Sequence, residues 1–309
     1  MGKGIGYGKT IVFGEMFAIF GVPVIASALS MTADAEVVQT TFGGRDIQDE
    51  RHEAKGYKEE KKAMQLESLE RIFTYLHLRP EHLRIWLGGD LPAMSGIGAT
   101  GASSVAIVRA LAEEFDLGLT EDQVNDGGYQ GEIAYHGPTT SGIDNMISTY
   151  GGIICLTRGE PNVVRRMKWK GPVEVVIGDT GIIANTKVLL AAFGERKKNN
   201  PEQYARLLRD ARQIADEAMA SIERFDLPGI GHLMDRNQSL LTEAKVSCPE
   251  LDILVGVSRK AGALGAKLTG SGGGGCMLAL TPGKDLQERV ASAIESQGFR
   301  AYRTTVGVN

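Results

Sequence analysis

The chain has 309 residues, 42% of them hydrophobic and 23% charged, with a formal net charge of −4 at pH 7; that length is long for one hydrophobic core and predicts two domains. The mild acidity argues against nucleic acid as a partner, and no apolar run reaches the length that spans a membrane. Cys155, Cys248 and Cys276 are too scattered for a disulfide framework or a metal-type spacing, so a reducing, cytoplasmic setting is expected.

In chain order, strands are predicted over 10–13, 23–28 and 36–42, between Gly-containing turns. Residues 53–78 read as a helix, charged first and apolar-periodic later. A short strand at 83–87 ends on Gly88-Gly89. The loop Gly96-Ile97-Gly98-Ala99-Thr100-Gly101 then opens a helix in which Val105, Val108, Leu111 and Phe115 recur at helical spacing. The helix predicted over 120–134 starts with a capping box, Thr120 and Gln123. Residues 152–156 read as a strand, and the composition break at 168–172 divides the chain into 1–168 and 169–309. The second half offers a strand at 173–177 and helices at 186–196, 201–225, 229–244 and 250–261. A strand at 266–269, the glycine run GSGGGG (270–275), a strand at 276–280, a helix at 286–297 and a strand at 302–306 complete it. This mixture lacks steady βαβ alternation, which points to an α+β fold.

Residues 96–101 match the G-x-G-x-x-G dinucleotide fingerprint. That motif requires a strand directly before it and an acidic strand end about 20 residues on. Here GGDLPAMS intervenes, and the region that follows, AEEFDLGLTEDQV, is helical, so the spacing excludes a dinucleotide site. The loop still suits an anion, because glycines followed by a helix start present free backbone N–H groups at the positive end of the helix dipole. Thr100, Ser103 and Ser104 add hydroxyls for phosphate or Mg²⁺. An ordinary capped turn is the alternative. The second glycine run lacks the Lys-Ser/Thr of a Walker A loop; it is either a flexible hairpin or a close backbone approach.

Four segments in order resemble the GHMP kinase family: GYGKTIVFGE (residues 6–15), the 96–101 loop, GEIAYHGPTTSGIDN (131–145) and KLTGSGGGGC (267–276). Within that family the mevalonate kinases resemble the chain most, through IGDTGIIANTK (177–187) and Asn237-Gln238 before Leu240-Leu241. The resemblance implies a two-domain α+β GHMP kinase fold, a ribosomal-S5-like N-terminal domain followed by a ferredoxin-like C-terminal one, with the site in the cleft between them. It implies transfer of the ATP γ-phosphate to the primary hydroxyl of mevalonate, with ATP and Mg²⁺ as cofactors and mevalonate as the small-molecule partner. It also admits a homodimer.

What the resemblance implies for single residues agrees with what phosphoryl transfer needs. Asp144 is the expected base and Lys9 its cationic neighbour. Gly96, Ile97, Gly98, Ala99, Thr100 and Gly101 would hold the ATP phosphates, with Gly272 and Gly273 closing over them. Thr100 and Glu132 would ligate Mg²⁺ through hard oxygens. Glu15, Met16, Asp144 and Thr186 would face the substrate, and Asp179 is a lesser candidate. Each has an ordinary alternative: Asp144 as a turn residue, Lys9 as a solvated strand end, Glu132 as a surface charge. His136 reads as a turn histidine without a metal partner at useful spacing, and Cys276 as a small buried residue.

The chain departs from the family where Gly14-Glu15-Met16 replaces Gly-Glu-His and where Phe20 stands for a Tyr or His, and it carries one extra residue between His136 and Asp144. These departures leave two further readings: a GHMP kinase of another small alcohol, and a non-catalytic nucleotide or metabolite sensor on the same fold.

Overall fold

The computed structural model describes residues 1–138 and 140–309. Strand β1 (Gly2–Phe13) pairs antiparallel with the long β2 (Val24–Gln39), and a 3₁₀ turn at Glu15–Phe20 joins them. After β3 (Arg45–Asp49) come α1 (Tyr57–Tyr75), β4 (Leu83–Gly88), α2 (Ala99–Glu114), α3 (Glu121–His136) and α4 (Ile143–Tyr150). Strands β5 (Ile153–Thr157) and β6 (Val163–Arg166) end the first half. On the sheet, β4 and β5 pair with opposite ends of β2, β3 lies parallel to β4, and β6 pairs with β5.

The two strands predicted over 23–28 and 36–42 are therefore parts of one strand, and the strand predicted over 10–13 is the end of a longer one. Glycine hid the first part of β1, because Gly weakens a strand pattern. The structure supplies the reason for those glycines. A Cβ on Gly2, Gly4 or Gly6 would stand 2.1, 2.3 or 2.1 Å from the carbonyl oxygens of Ala110, Ala106 and Ala102. Alternate residues of a strand thus meet every fourth residue of α2, which seats that helix directly on the strand backbone. Gly6→Ala should overpack this contact and destabilise the fold by about 1–3 kcal/mol, read as a lower midpoint in chemical denaturation with an unchanged slope.

The second half runs β7 (Val173–Asp179), α5 (Thr186–Asn199), α6 (Pro201–Arg224), α7 (Leu227–Glu243), α8 (Pro249–Lys260), β8 (Gly265–Thr269), β9 (Cys276–Leu280), α9 (Lys284–Glu295) and β10 (Arg300–Val306). Its strands lie in the order β10-β7-β9-β8, all antiparallel. With helices after the first and third of these strands in chain order, this is the split βαβ, ferredoxin-like arrangement that was expected. The halves meet where Val306 pairs with Leu29 and where Gly307 N–H donates to the Ala28 carbonyl. One apolar cluster, including Phe13, Ile25, Leu29, Ile177, Ile214 and Leu278, spans both. Among the described residues no helix is long and apolar enough to cross a membrane, and the three cysteines are free.

Candidate active site

Helix α2 begins at Ala99, with ten residues separating it from the end of β4, and is followed by α3. The dinucleotide arrangement is therefore absent, as the spacing required. Gly96 (φ 98°) and the N-cap Gly98 (φ 68°) adopt left-handed backbone, and α2 has no acidic residue in its first turn, so its N-terminal amides keep their positive potential. A Cβ on Gly98 would stand 2.8 Å from the Lys9 Cβ, and one on Gly101 3.1 Å from the Asp144 Cβ. The small residues of the loop let β1 and α4 approach the helix start. Lys9 N–H fixes the loop by donating to the Ile97 carbonyl at 2.8 Å.

Lys9 and Asp144 are 135 positions apart in the chain, yet Lys9 Nζ lies 2.9 Å from Asp144 Oδ1. Lys9 is buried, with its side chain 5% exposed, while Asp144 remains 22% exposed. Lys9 is thus not a solvated strand end, and Asp144 sits in the first turn of a helix, α4. The sequence gives little sign of that helix because Gly142, in left-handed conformation, caps a segment of only eight residues.

Glu132 is no surface charge. It is 1% exposed, and among the described residues neither carboxylate oxygen has a hydrogen-bond partner. Burial, the largest influence, pushes its carboxyl above the ordinary range; His136 opposes this, Asp144 adds to it, and Thr100 and Lys9 restrain it. Each of Glu132, His136 and Asp144 offers one donor atom, and these lie within 4.8 Å of one another. A hard, unpartnered carboxylate enclosed beside a second one suits a divalent cation. Of the hydroxyls expected near it, Ser103 turns back to the Ala99 carbonyl at 2.9 Å and Ser104 faces Ser68 at 3.4 Å. Thr100 remains beside Glu132. Thr139, within the 131–145 motif, lies outside the described residues.

The two glycine loops meet. A Cβ on Gly270 would stand 3.3 Å from the Gly96 Cα, and one on Gly275 3.2 Å from the Ser95 carbonyl oxygen. Gly272 and Gly273 sit farther along the second loop, against Val246 and Leu189. The 177–187 segment holds this loop: Thr180 Oγ1 donates to the Gly275 carbonyl at 2.7 Å, and Thr186 Oγ1 donates to Ser271 Oγ at 3.0 Å. Asp179 accepts from Gly181 N–H at 2.8 Å. Cys276 is fully buried.

Glu15 is enclosed away from solvent. It accepts from Lys267 Nζ, and its Oε2 accepts from Asn237 Nδ2 at 2.7 Å. Gln238 accepts from Leu268 N–H at 2.8 Å, so Gln238 braces β8 directly while Asn237 holds the Glu15 that pairs with Lys267. Met16 is 2% exposed in an apolar cluster with Phe17, Val22 and Phe193, and Phe20 stacks on Phe193 with ring centroids 5.1 Å apart.

Two groups escaped the sequence reading. Lys267 belongs to a quoted motif, but its side-chain partner, Glu15, lies at the other end of the chain. Arg51 reaches the first turn of α2: its Nη1 donates to the Ala99 carbonyl at 3.2 Å, and Asp49 grips its guanidinium at 2.6 and 3.0 Å. Burial raises the Asp49 carboxyl, but the Arg51 hydrogen bonds and the charges of Arg51 and Lys58 outweigh it and hold the group below its ordinary value. No periodic signal could have marked this pair, because Asp49 ends β3, which is short and mostly polar, and Arg51 lies just beyond it.

The chain matches the family models for the GHMP kinases N terminal domain over residues 63–152 and the GHMP kinases C terminal over 218–300. It is 32% identical to the mevalonate kinase of Pyrococcus horikoshii, over 94% of this chain and 91% of that one. It is 31% identical to the mevalonate kinase of Arabidopsis thaliana, over 72% and 63%. Among solved structures, L. major mevalonate kinase in complex with R-mevalonate superposes with a TM-score of 0.93 at 33% identity, covering 99% of this chain and 96% of that one.

Proposed function

The chain belongs to the GHMP kinase family, and on that footing we propose that it transfers the γ-phosphoryl group of ATP to the primary hydroxyl of mevalonate, giving 5-phosphomevalonate and ADP. The observation that carries this reading is the ion pair between buried Lys9 and partly exposed Asp144, set against the first turn of the phosphate loop helix. A relative solved with R-mevalonate bound, and aligned over nearly the whole chain, supports mevalonate as the acceptor.

Asp144 accepts the hydroxyl proton as the new O–P bond forms and the bond to the β-phosphate bridging oxygen breaks. Lys9 orients Asp144 and offsets negative charge on the equatorial oxygens. The backbone amides of residues 96–101 bind phosphate oxygens, and the 270–275 loop, resting on the first, shields them from water. Glu132 and Thr100 would hold Mg²⁺, a fit supported by the unpartnered Glu132 oxygens; bound there, the ion neutralises phosphate charge. Met16 and Phe20 belong to an apolar cluster, which supports reading them as packing rather than as the mark of another acceptor. We place the domain boundary at 168–169, between β6 and β7, and the protein in a reducing cytoplasm, in keeping with its free cysteines.

The test is an assay with ATP, Mg²⁺ and mevalonate, read by phosphorus NMR. A new ester on the primary carbon is expected. An ester on the tertiary carbon, or ATP binding with no transfer, would overturn the reading.

A further inference from the structure

We propose that His136 is a protein ligand of the divalent-cation site, so that Glu132, His136 and Asp144 form a nitrogen- and oxygen-donor pocket that holds a first-row transition ion such as Mn²⁺ before nucleotide arrives. This deepens the reading of the cleft just given and rests on it only for the location of the site. The sequence argued against such a role because no metal partner stood at useful spacing. The partner is Glu132, four residues earlier on α3, and positions i and i+4 share a helix face.

Three observations converge. Both Glu132 oxygens are enclosed and unpartnered among the described residues, and a buried carboxylate without a donor or cation is costly. Lys9, a buried cation whose charge reaches Glu132, is engaged by Asp144. His136 Nε2 stands 3.5 Å from Glu132 Oε2, long for a hydrogen bond but suited to two ligands on one ion. With each ligand about 2.1 Å from the metal, that separation subtends roughly 110°. The Asp144 donor lies within 4.8 Å of the other two, which places a third ligand atom beside them. His136 is 44% exposed, which leaves the site open to water and phosphate oxygens.

The donor set has a chemical consequence. Mg²⁺ prefers oxygen ligands and keeps its waters, so it arrives with the nucleotide. Imidazole nitrogen favours first-row transition ions over Mg²⁺, the later ones most and Mn²⁺ least. The nucleotide-free protein should therefore bind such ions on its own, and Mn²⁺ is the paramagnetic member that reports the nitrogen ligand.

The experiment titrates Mn²⁺ into nucleotide-free protein, following loss of the free-ion EPR signal, and then records electron spin-echo modulation of the bound ion. One Mn²⁺ per chain with ¹⁴N modulation from an imidazole is expected. His136→Gln should abolish the modulation and weaken Mn²⁺ binding roughly tenfold or more, with thermal melts confirming that the variant is folded. Glu132→Gln should weaken Mn²⁺ binding as well. Bound Mn²⁺ without ¹⁴N modulation, modulation that persists in His136→Gln, or no Mn²⁺ binding to the nucleotide-free chain would each overturn the proposal. These readouts need no turnover, so failure of the kinase assay would remove the proposed activity and leave the ligand assignment standing.

Discussion

Asp144→Asn is expected to lower kcat roughly a thousandfold or more while ATP still binds. Asparagine keeps the shape of the side chain but cannot take the proton of the attacking hydroxyl. It also leaves Lys9, with its side chain 5% exposed, without the carboxylate 2.9 Å away, so the charge that would meet the transferring phosphoryl group loses its orientation. The phosphate loop does not depend on this pair: it is built from Gly96 and Gly98 in left-handed conformation and from the Lys9 backbone bond to Ile97, none of which the substitution touches. Steady-state kinetics with calorimetric measurement of nucleotide binding separate the two effects. A variant that turns over like the wild type would remove Asp144 as the base, and loss of ATP binding would mean that the substitution disturbed the loop instead of the chemistry.

The fold was readable where local pattern and tertiary role coincide. Helix α6 buries Tyr204, Leu207, Ala211, Ile214, Ala218 and Ile222 at helical spacing, and the capping box at Thr120 and Gln123 forms as read. It was unreadable where a segment serves a neighbour. The glycines of β1 look like a loop until Ala102, Ala106 and Ala110 of α2 are set against them. Strands β3 and β6 carry polar or exposed residues at sheet edges, so no alternation marks them. The site divides in the same way. The i, i+4 pair Glu132 and His136 was visible in principle, since one helix carries both. Lys9 with Asp144, and Arg51 with Ala99, are long-range contacts that no period encodes. For Lys9 and Asp144 the family resemblance supplied the roles, and the structure shows the two groups brought together.

Lys267→Met is expected to destabilise the protein by about 3–5 kcal/mol near neutral pH. Glu15 and Lys267 are both enclosed, and their ion pair joins the segment after β1 to β8. Burial is the main influence on each: it raises the Glu15 carboxyl against the pull of Lys267 and Asn237, and it lowers the Lys267 ammonium against the pull of Glu15. A carboxyl whose folded value is raised stabilises the fold most below its unfolded value, and that contribution is lost as pH rises through the folded value. Removing Lys267 takes away the main restraint on Glu15 and raises it further. The damage should therefore be greatest at mildly alkaline pH and should shrink as pH falls and Glu15 takes up a proton. The double variant Glu15→Gln, Lys267→Met holds no charge at either position, and the amide oxygen introduced in place of the carboxylate can still accept from Asn237, so it should recover most of the lost stability. Urea denaturation of wild type, single and double variants at acidic and alkaline pH measures this directly. A loss that is flat with pH, or a double variant no better than the single, would assign the effect to packing of the lysine stem. A loss that follows the predicted slope would mean that the enclosed charge pair of Glu15 and Lys267 sets how firmly β8 is held to the N-terminal half.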